Sequence, residues 1–91
     1  MRSLVWRAAA REDLAKIIGY IAERNPAAAR RMRSLIEDAV LPLAQHPFLF
    51  RAGRVAGTRE LVAHPNYVIV YRVTDDAIEI VSMVHARQQY P

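Results

Sequence analysis

The sequence predicts an α+β fold in which a helical hairpin packs on one face of a twisted antiparallel sheet. Two consecutive segments of the N-terminal half carry apolar residues at helical spacing, and the C-terminal half holds three short segments rich in Val, Ile and Tyr. A helical hairpin with one apolar face must lie across one face of such a sheet, which gives the order β-α-α-β-β-β. A length of 91 residues suits one domain over residues 1–91, because a single core serves roughly 50 to 200 residues.

The N-terminal segment is predicted to be a short strand over residues 2–6 that leads into the first helix. From Ala9 to Arg24 the apolar residues recur at i, i+3, i+4 and i+7, and the charged residues fall elsewhere around the helix. These apolar residues are Leu14, Ile17, Ile18 and Ile21. The first helix should therefore bury one stripe and expose the rest.

A second helix is predicted to begin at Asn25-Pro26, which supplies an N-cap side chain and a proline at the first helical position. Apolar spacing continues from Met32 to Leu43, so the two helices should form an antiparallel hairpin. Pro42 conflicts with this pattern, because an interior proline removes a backbone hydrogen bond and clashes with the preceding turn. We expect a kink there, or an early end to the helix with Leu43–His46 as a separate turn.

The region from Gln45 to Thr58 is predicted to be a long loop, because it contains two glycines and a His-Pro-Phe sequence. Three strands are predicted after it, over Arg59–Ala63, Tyr67–Thr74 and Ala77–His85. The short turn-like links between them indicate an antiparallel meander. Both faces of the middle strand carry apolar residues, so we expect it to be the central strand, with Trp6 and Tyr71 in the core.

Composition excludes several classes of protein. The absence of cysteine excludes a disulfide framework, a thiolate zinc site and a cysteine nucleophile. Apolar runs fall short of the roughly 20 residues of a membrane span, and a charged N-terminus is unlike a signal peptide, so we expect a cytoplasmic protein. Neither metal-ligand spacing of histidines nor a phosphate-binding loop occurs, so we expect no metal and no cofactor. A formal net charge of +4 favours a polyanion or an acidic protein as partner.

Five landmarks in the same order resemble those of the RelE/ParE superfamily of toxins from bacterial type II toxin–antitoxin modules. They are residues 10–21 with Asp13-Leu14 and Tyr20-Ile21, Asn25-Pro26-Ala27-Ala28, Gly57-Thr58-Arg59-Glu60-Leu61, the run from Tyr67 to Val73, and the ending from His85 to Pro91. The resemblance covers nearly the whole chain. It implies a toxin that a cognate antitoxin neutralises in a hetero-oligomer. An acidic segment that folds on binding would suit this basic domain, and Arg30, Arg31 and Arg33 are either a solvated helix face or contacts to the antitoxin or to nucleic acid.

The resemblance leaves two targets open, because the RelE branch cuts mRNA in the ribosomal A site and the ParE branch poisons DNA gyrase. A metal-independent ribonuclease needs groups that move protons and cations that stabilise the phosphorane. The side chains able to move protons are His46, His64, His85, Glu60 and Tyr90. The cations able to hold phosphate are Arg51, Arg54, Arg59, Arg72 and Arg87.

The strongest catalytic candidates, for a nuclease only, are His85, Arg87 and Tyr90 near the C-terminal end. Two of the three also have a structural interpretation: His85 as a cap at the sheet edge or a hydrogen-bond donor to a loop carbonyl, and Tyr90 as an aromatic anchor that packs the tail on the sheet. His46 is interpreted as a cation at a helix C-terminus and His64 as a turn residue. A DNA-binding module is disfavoured, because no recognition helix is evident.

Binding to gyrase is the preferred prediction, with mRNA cleavage as the alternative. RelE-like nucleases add Lys or Arg on the loop and middle strands, whereas this chain has no Lys after Lys16, and Ala63-His64 occupies the place of a central-strand Arg. The arginines predicted to contact the target or nucleic acid are Arg51, Arg54, Arg59 and Arg72.

Overall fold

A computed structural model describes residues 2–87 of the chain. Its five strands are β1 (Ser3–Trp6), β2 (Arg51–Ala52), β3 (Arg59–His64), β4 (Tyr67–Val73) and β5 (Ala77–His85). Two helices, α1 (Ala8–Ala22) and α2 (Pro26–Val40), follow β1. The strands lie in the order β1-β5-β4-β3-β2 in one sheet, so β4 is central, as predicted. The α+β class is confirmed.

The sheet is mixed and not wholly antiparallel. β5, β4, β3 and β2 pair antiparallel with their neighbours, as the meander predicts, but β1 runs parallel to β5 with Ser3 opposite Ala77 and Trp6 opposite Ile80. A parallel neighbour requires a long crossover, and both helices and three strands separate β1 from β5 along the chain. The prediction of a purely antiparallel sheet was therefore wrong for β1.

The helix boundaries follow from local side-chain chemistry. Asn25 caps α2, since its Oδ1 accepts a hydrogen bond from the Ala28 N–H at 3.0 Å, and Pro26 occupies the first turn. α2 ends at Val40, and a 3₁₀ turn over Leu41–Ala44 follows it. Pro42 lies inside that turn, where no full α-helical ladder is required, so the predicted early end is confirmed with the turn beginning two residues sooner.

The predicted long loop contains strand β2, which the sequence did not indicate. Arg51 pairs with Glu60 and Ala52 with Arg59, and the Gly53 N–H donates to the Thr58 carbonyl at 2.8 Å. A Cβ added at Gly53 would collide with the Thr58 side chain, so the close approach of the two strands requires glycine there.

The two faces of the sheet differ, and we call them the helix face and the outer face. The helix face packs on α1, α2 and the 3₁₀ turn. The largest fully buried side chains of this interface are Ile69, Tyr71, Ile78 and Ile80 from the sheet, Ile36 and Val40 from α2 and Leu43 from the turn. Tyr71 is thus core, as predicted, and Trp6 packs half-buried against the same cluster. The outer face carries a separate valine cluster of Val68, Val70 and Val84. Within residues 2–87, neither helix is long and apolar enough to cross a membrane.

Candidate functional site

One end of the sheet brings together aromatic side chains from three neighbouring strands. Tyr67 of β4 pairs in register with His64 of β3 and with His85 of β5, and its ring centroid lies 5.8 Å and 5.6 Å from theirs. His85 lies on the helix face, two residues beyond buried Met83. A cavity of about 360 Å³ adjoins the row and is lined by Asp13, Lys16, Ile17, Tyr20, Tyr67, Met83 and His85.

Both histidines of this row accept hydrogen bonds from the backbone. The Arg87 N–H donates to Nδ1 of His85 at 3.2 Å, and the Asn66 N–H donates to Nδ1 of His64 at 3.0 Å. Because Nδ1 is an acceptor in both rings, the neutral imidazole carries its proton on Nε2. In that form the lone pair that a general base would use to accept a proton is on Nδ1, and it already accepts a backbone hydrogen bond at the end of the strand.

A carboxylate from α1 accepts a hydrogen bond from the part of β5 that extends beyond its neighbour β1. β1 ends at Trp6, opposite Ile80, and β5 continues to His85. Asp13 Oδ2 accepts a hydrogen bond from the Met83 N–H in this overhang at 2.9 Å. Asp13 therefore joins helix α1 to β5, a role that its place among the sequence landmarks did not reveal.

The outer face holds one buried carboxylate, which is fully engaged. Glu60 is only 4% exposed, and its Oε1 accepts from Nε and Nη2 of Arg51 at 3.0 Å and 2.9 Å. Its Oε2 accepts from the Arg54 backbone N–H at 3.2 Å. These bonds fasten β2 and the following turn to β3. Glu60, a candidate for proton transfer, is thus part of a structural ion pair.

The other two arginines predicted to contact the target lie on opposite faces of the sheet. Arg59 is opposite Tyr71 on the helix face, and its Nη1 donates to the Phe50 carbonyl at 2.8 Å. Arg72 is opposite Glu79 on the outer face, with 3.8 Å between Nη1 and Oε1. The four arginines of the predicted contact set therefore do not form one patch.

Of the proton-transfer candidates within residues 2–87, only His64 and His85 come together, on either side of Tyr67. His85 lies on the helix face and Glu60 on the outer face, so the sheet itself separates them. His46 is exposed and follows the 3₁₀ turn. Tyr90 lies outside the described residues. Among residues 2–87, no group of three or more His, Asp or Glu side chains is placed to hold a metal ion.

Comparison with known proteins assigns the family. Residues 4–90 match the family described as "ParE toxin of type II toxin-antitoxin system, parDE". The chain belongs to the ParE toxin family. It is 41% identical to Toxin RelE2 of Caulobacter vibrioides over 94% of this chain and 97% of the relative. The solved structure titled "Chromosomal ParDE TA system from P. aeruginosa" contains a chain of the same fold, with 27% identity, a TM-score of 0.84 and coverage of 93% of this chain and 96% of that one.

A more distant structure has the same fold. The toxin–antitoxin complex RelBE2 of Mycobacterium tuberculosis matches with a TM-score of 0.63 at 21% identity, covering 92% of this chain and 96% of that one. The resemblance to the RelE/ParE superfamily is therefore confirmed. Relatives named for both branches match this ParE-family toxin, so the names alone do not assign its target.

Sequence reasoning missed an exposed apolar pair on the loop after the 3₁₀ turn. Phe48 and Leu49 expose 59% and 65% of their surface, although the next residue, Phe50, packs against the core. The available signal was an apolar run of Phe-Leu-Phe inside a segment otherwise rich in loop-forming residues. A run of three residues is too short for hydrophobic periodicity to show which side chains face solvent, so the sequence alone does not distinguish this pair from core residues.

Proposed function

We propose that this ParE-family toxin acts by binding DNA gyrase and that a cognate antitoxin neutralises it. The observation that carries the proposal is that the acid–base candidates hold the fold: Nδ1 of His64 and of His85 accepts a backbone N–H, and Glu60 is ion-paired on the opposite face of the sheet. A toxin that acts by binding needs a stable surface and no aligned acid and base. A ribonuclease needs both groups within hydrogen-bond reach of one scissile phosphate.

The centre of the outer face supports the same interpretation. A nuclease site on that face would require cations and proton-transfer groups around the phosphate. Valines occupy this position instead: Val68, Val70 and Val84 are buried together, and Val62 lies opposite Val68 in register. Of these four valines only Val62 is exposed, and apolar side chains provide no charge to stabilise a phosphorane.

Ribosome-dependent mRNA cleavage is the second candidate, and one observation favours it. His85 and Arg87 lie at the exposed end of β5, within two residues of one another, and Toxin RelE2 is a close relative by sequence. In that mechanism the His85 imidazole would accept the proton at Nδ1 after releasing the Arg87 N–H from that atom, and the Arg87 side chain would hold the phosphate. Tyr90 would join them.

The antitoxin proposal rests on charge and on the family. Arg30, Arg31 and Arg33 are exposed on α2, and only a long 3.9 Å pair links Arg33 to a carboxylate, that of Glu37. An acidic segment that folds on binding would find three cations on one helix. The solved ParDE system is a toxin–antitoxin pair by its title, which supports a hetero-oligomer for this toxin.

Plasmid supercoiling by purified gyrase tests the proposal directly. The toxin is titrated into the reaction after circular dichroism has established that it is folded, with His85→Ala as a matched variant. We expect inhibition with trapped, cleaved DNA, and equal inhibition by His85→Ala. Folded toxin that leaves supercoiling unchanged, but cleaves mRNA in a translation extract in a manner that His85→Ala abolishes, would favour the alternative.

A further inference from the structure

Phe48 and Leu49 form an exposed apolar knob beside two arginines. Their exposed fractions of 59% and 65% place both side chains in solvent. The guanidinium carbons of Arg59 and Arg2 lie 4.9 Å and 5.7 Å from the Phe48 ring centroid. We call Phe48, Leu49, Arg2 and Arg59 the Phe48 patch. Aromatic and arginine side chains are enriched at protein–protein interfaces relative to the rest of the protein surface.

The backbone under the patch is fastened to the core. The buried Tyr71 hydroxyl donates to the Pro47 carbonyl at 3.0 Å, and Arg59 Nη1 donates to the carbonyls of Phe48 and Phe50 at 3.5 Å and 2.8 Å. The Leu49 N–H donates to the His46 carbonyl at 3.3 Å. The knob is therefore preorganised, so its backbone has little conformational entropy left to lose on binding.

A recess lies next to the knob. Its volume is about 330 Å³, and its lining is Phe48, Ala52, Gly57, Thr58, Arg59 and Val73. Gly57 has a φ of +82°, so the turn that borders the recess requires a glycine. A partner would fit this surface if it offered an apolar pocket for the knob, an apolar side chain for the recess and a carboxylate for Arg59.

The chemistry of the patch favours a protein over a nucleic acid. Leu49, the more exposed of the two apolar side chains, has no ring on which a base could stack.

We propose that the Phe48 patch is the surface through which this toxin docks on its target, and that the docking region of the target is an apolar pocket rimmed by carboxylates. The charge complementarity of Arg2 and Arg59 to such a rim argues for this occupant. This inference rests on the proposal that the toxin acts by binding a protein. It adds the contact residues, of which only Arg59 belonged to the predicted set.

The test compares Phe48→Ser/Leu49→Ser with the control Leu35→Ser, which alters a side chain that is 42% exposed on α2. Growth arrest on induction is measured with affinity for purified gyrase, affinity for the antitoxin and the thermal midpoint. We expect the double variant to lose growth arrest and at least about tenfold in gyrase affinity, because the complex would lose apolar burial at both positions. Antitoxin affinity and the thermal midpoint of the double variant should match those of the wild type.

Other outcomes distinguish failure of the docking proposal for the Phe48 patch from failure of the proposal that gyrase is the target. A folded double variant that still arrests growth would overturn the docking proposal and leave gyrase binding intact. Loss of antitoxin affinity with growth arrest retained would assign the patch to the antitoxin, and loss of binding to a labelled oligonucleotide would assign it to nucleic acid; either result overturns the proposal. If the wild type arrests growth without affecting gyrase, the target proposal fails, while growth arrest by the variants still tests the patch. Leu49→Ser alone, at the most exposed position, repeats the test should the double variant unfold.

Discussion

Tyr71→Phe tests whether the core holds the loop that carries the Phe48 patch. The substitution removes one oxygen and leaves the ring volume nearly unchanged, so no cavity forms. It deletes the 3.0 Å hydrogen bond from the Tyr71 hydroxyl and leaves the carbonyl of buried Pro47 without that donor. An unsatisfied buried acceptor costs about 1 to 2 kcal/mol. In a domain of this size each kcal/mol lowers the thermal midpoint by about 4 to 8 °C.

The pH dependence of the same variant supplies a second readout. Burial raises the pKa of the Tyr71 hydroxyl above its ordinary value, and the positive charge of Arg59 offsets part of that increase. A group with a raised pKa in the folded state stabilises the fold fully below its ordinary pKa of about 10 and loses that contribution as the pH rises through the raised value. The difference in midpoint between wild type and Tyr71→Phe should be constant from pH 6 to about pH 9 and should shrink above about pH 10.

The assay is thermal unfolding followed by circular dichroism, combined with hydrogen exchange of residues 46–50. Exchange in this segment should increase in Tyr71→Phe more than exchange at the β4–β5 ladder, because the lost bond joins the loop to the sheet. A midpoint within about 1 °C of wild type at pH 7 would refute the energetic argument. An unchanged difference between pH 7 and pH 11 would refute the assignment of the buried hydroxyl.

Two further predictions concern polar contacts that hold the fold. Arg51→Gln should lower the free energy of unfolding by about 1 to 3 kcal/mol, because the buried carboxylate of Glu60 loses its guanidinium partner; Arg33→Gln, which removes an exposed pair on α2, should change it by less than about 0.5 kcal/mol. Equal losses in urea unfolding would contradict this ranking. Asn25→Ala should cost about 1 kcal/mol through loss of the α2 cap, and Asn25→Asp should restore most of it in the same measurement.

The elements that the sequence predicted well are those with local signals. The cap at Asn25, the interruption at Pro42 and most of the apolar stripes of both helices are properties of short segments, and the structure reproduces them except at Leu35, which is exposed on α2. β2 escaped prediction because two residues show no period. The parallel position of β1 depends on contacts with β5, more than 70 residues away, and no local pattern encodes such a pairing.

The candidate site was harder to predict, because strand register decides which side chains meet. Register shifts occur between Val62 and His64 and between Val70 and Tyr71. A bulge changes which residues of neighbouring strands share a face, so counting by twos from a known core residue fails beyond it. The row formed by His64 and its partners on β4 and β5 therefore emerges only from the folded sheet.

The exposure of Phe48 and Leu49 lowers the stability of the isolated domain and leaves burial energy available for binding a partner. Burying a Phe or Leu side chain typically stabilises a protein by about 1.5 to 3 kcal/mol, and this small domain leaves both Phe48 and Leu49 in solvent while burying the adjacent Pro47. Tyr71 and Arg59 hold the backbone of this run in place through its carbonyls, so the outward direction of the pair is a property of the fold and not of a mobile loop. A partner that covers the pair would recover the burial energy that the isolated domain forgoes. Affinity for that partner should therefore depend on the core bond at Tyr71, although that hydroxyl lies beneath the surface.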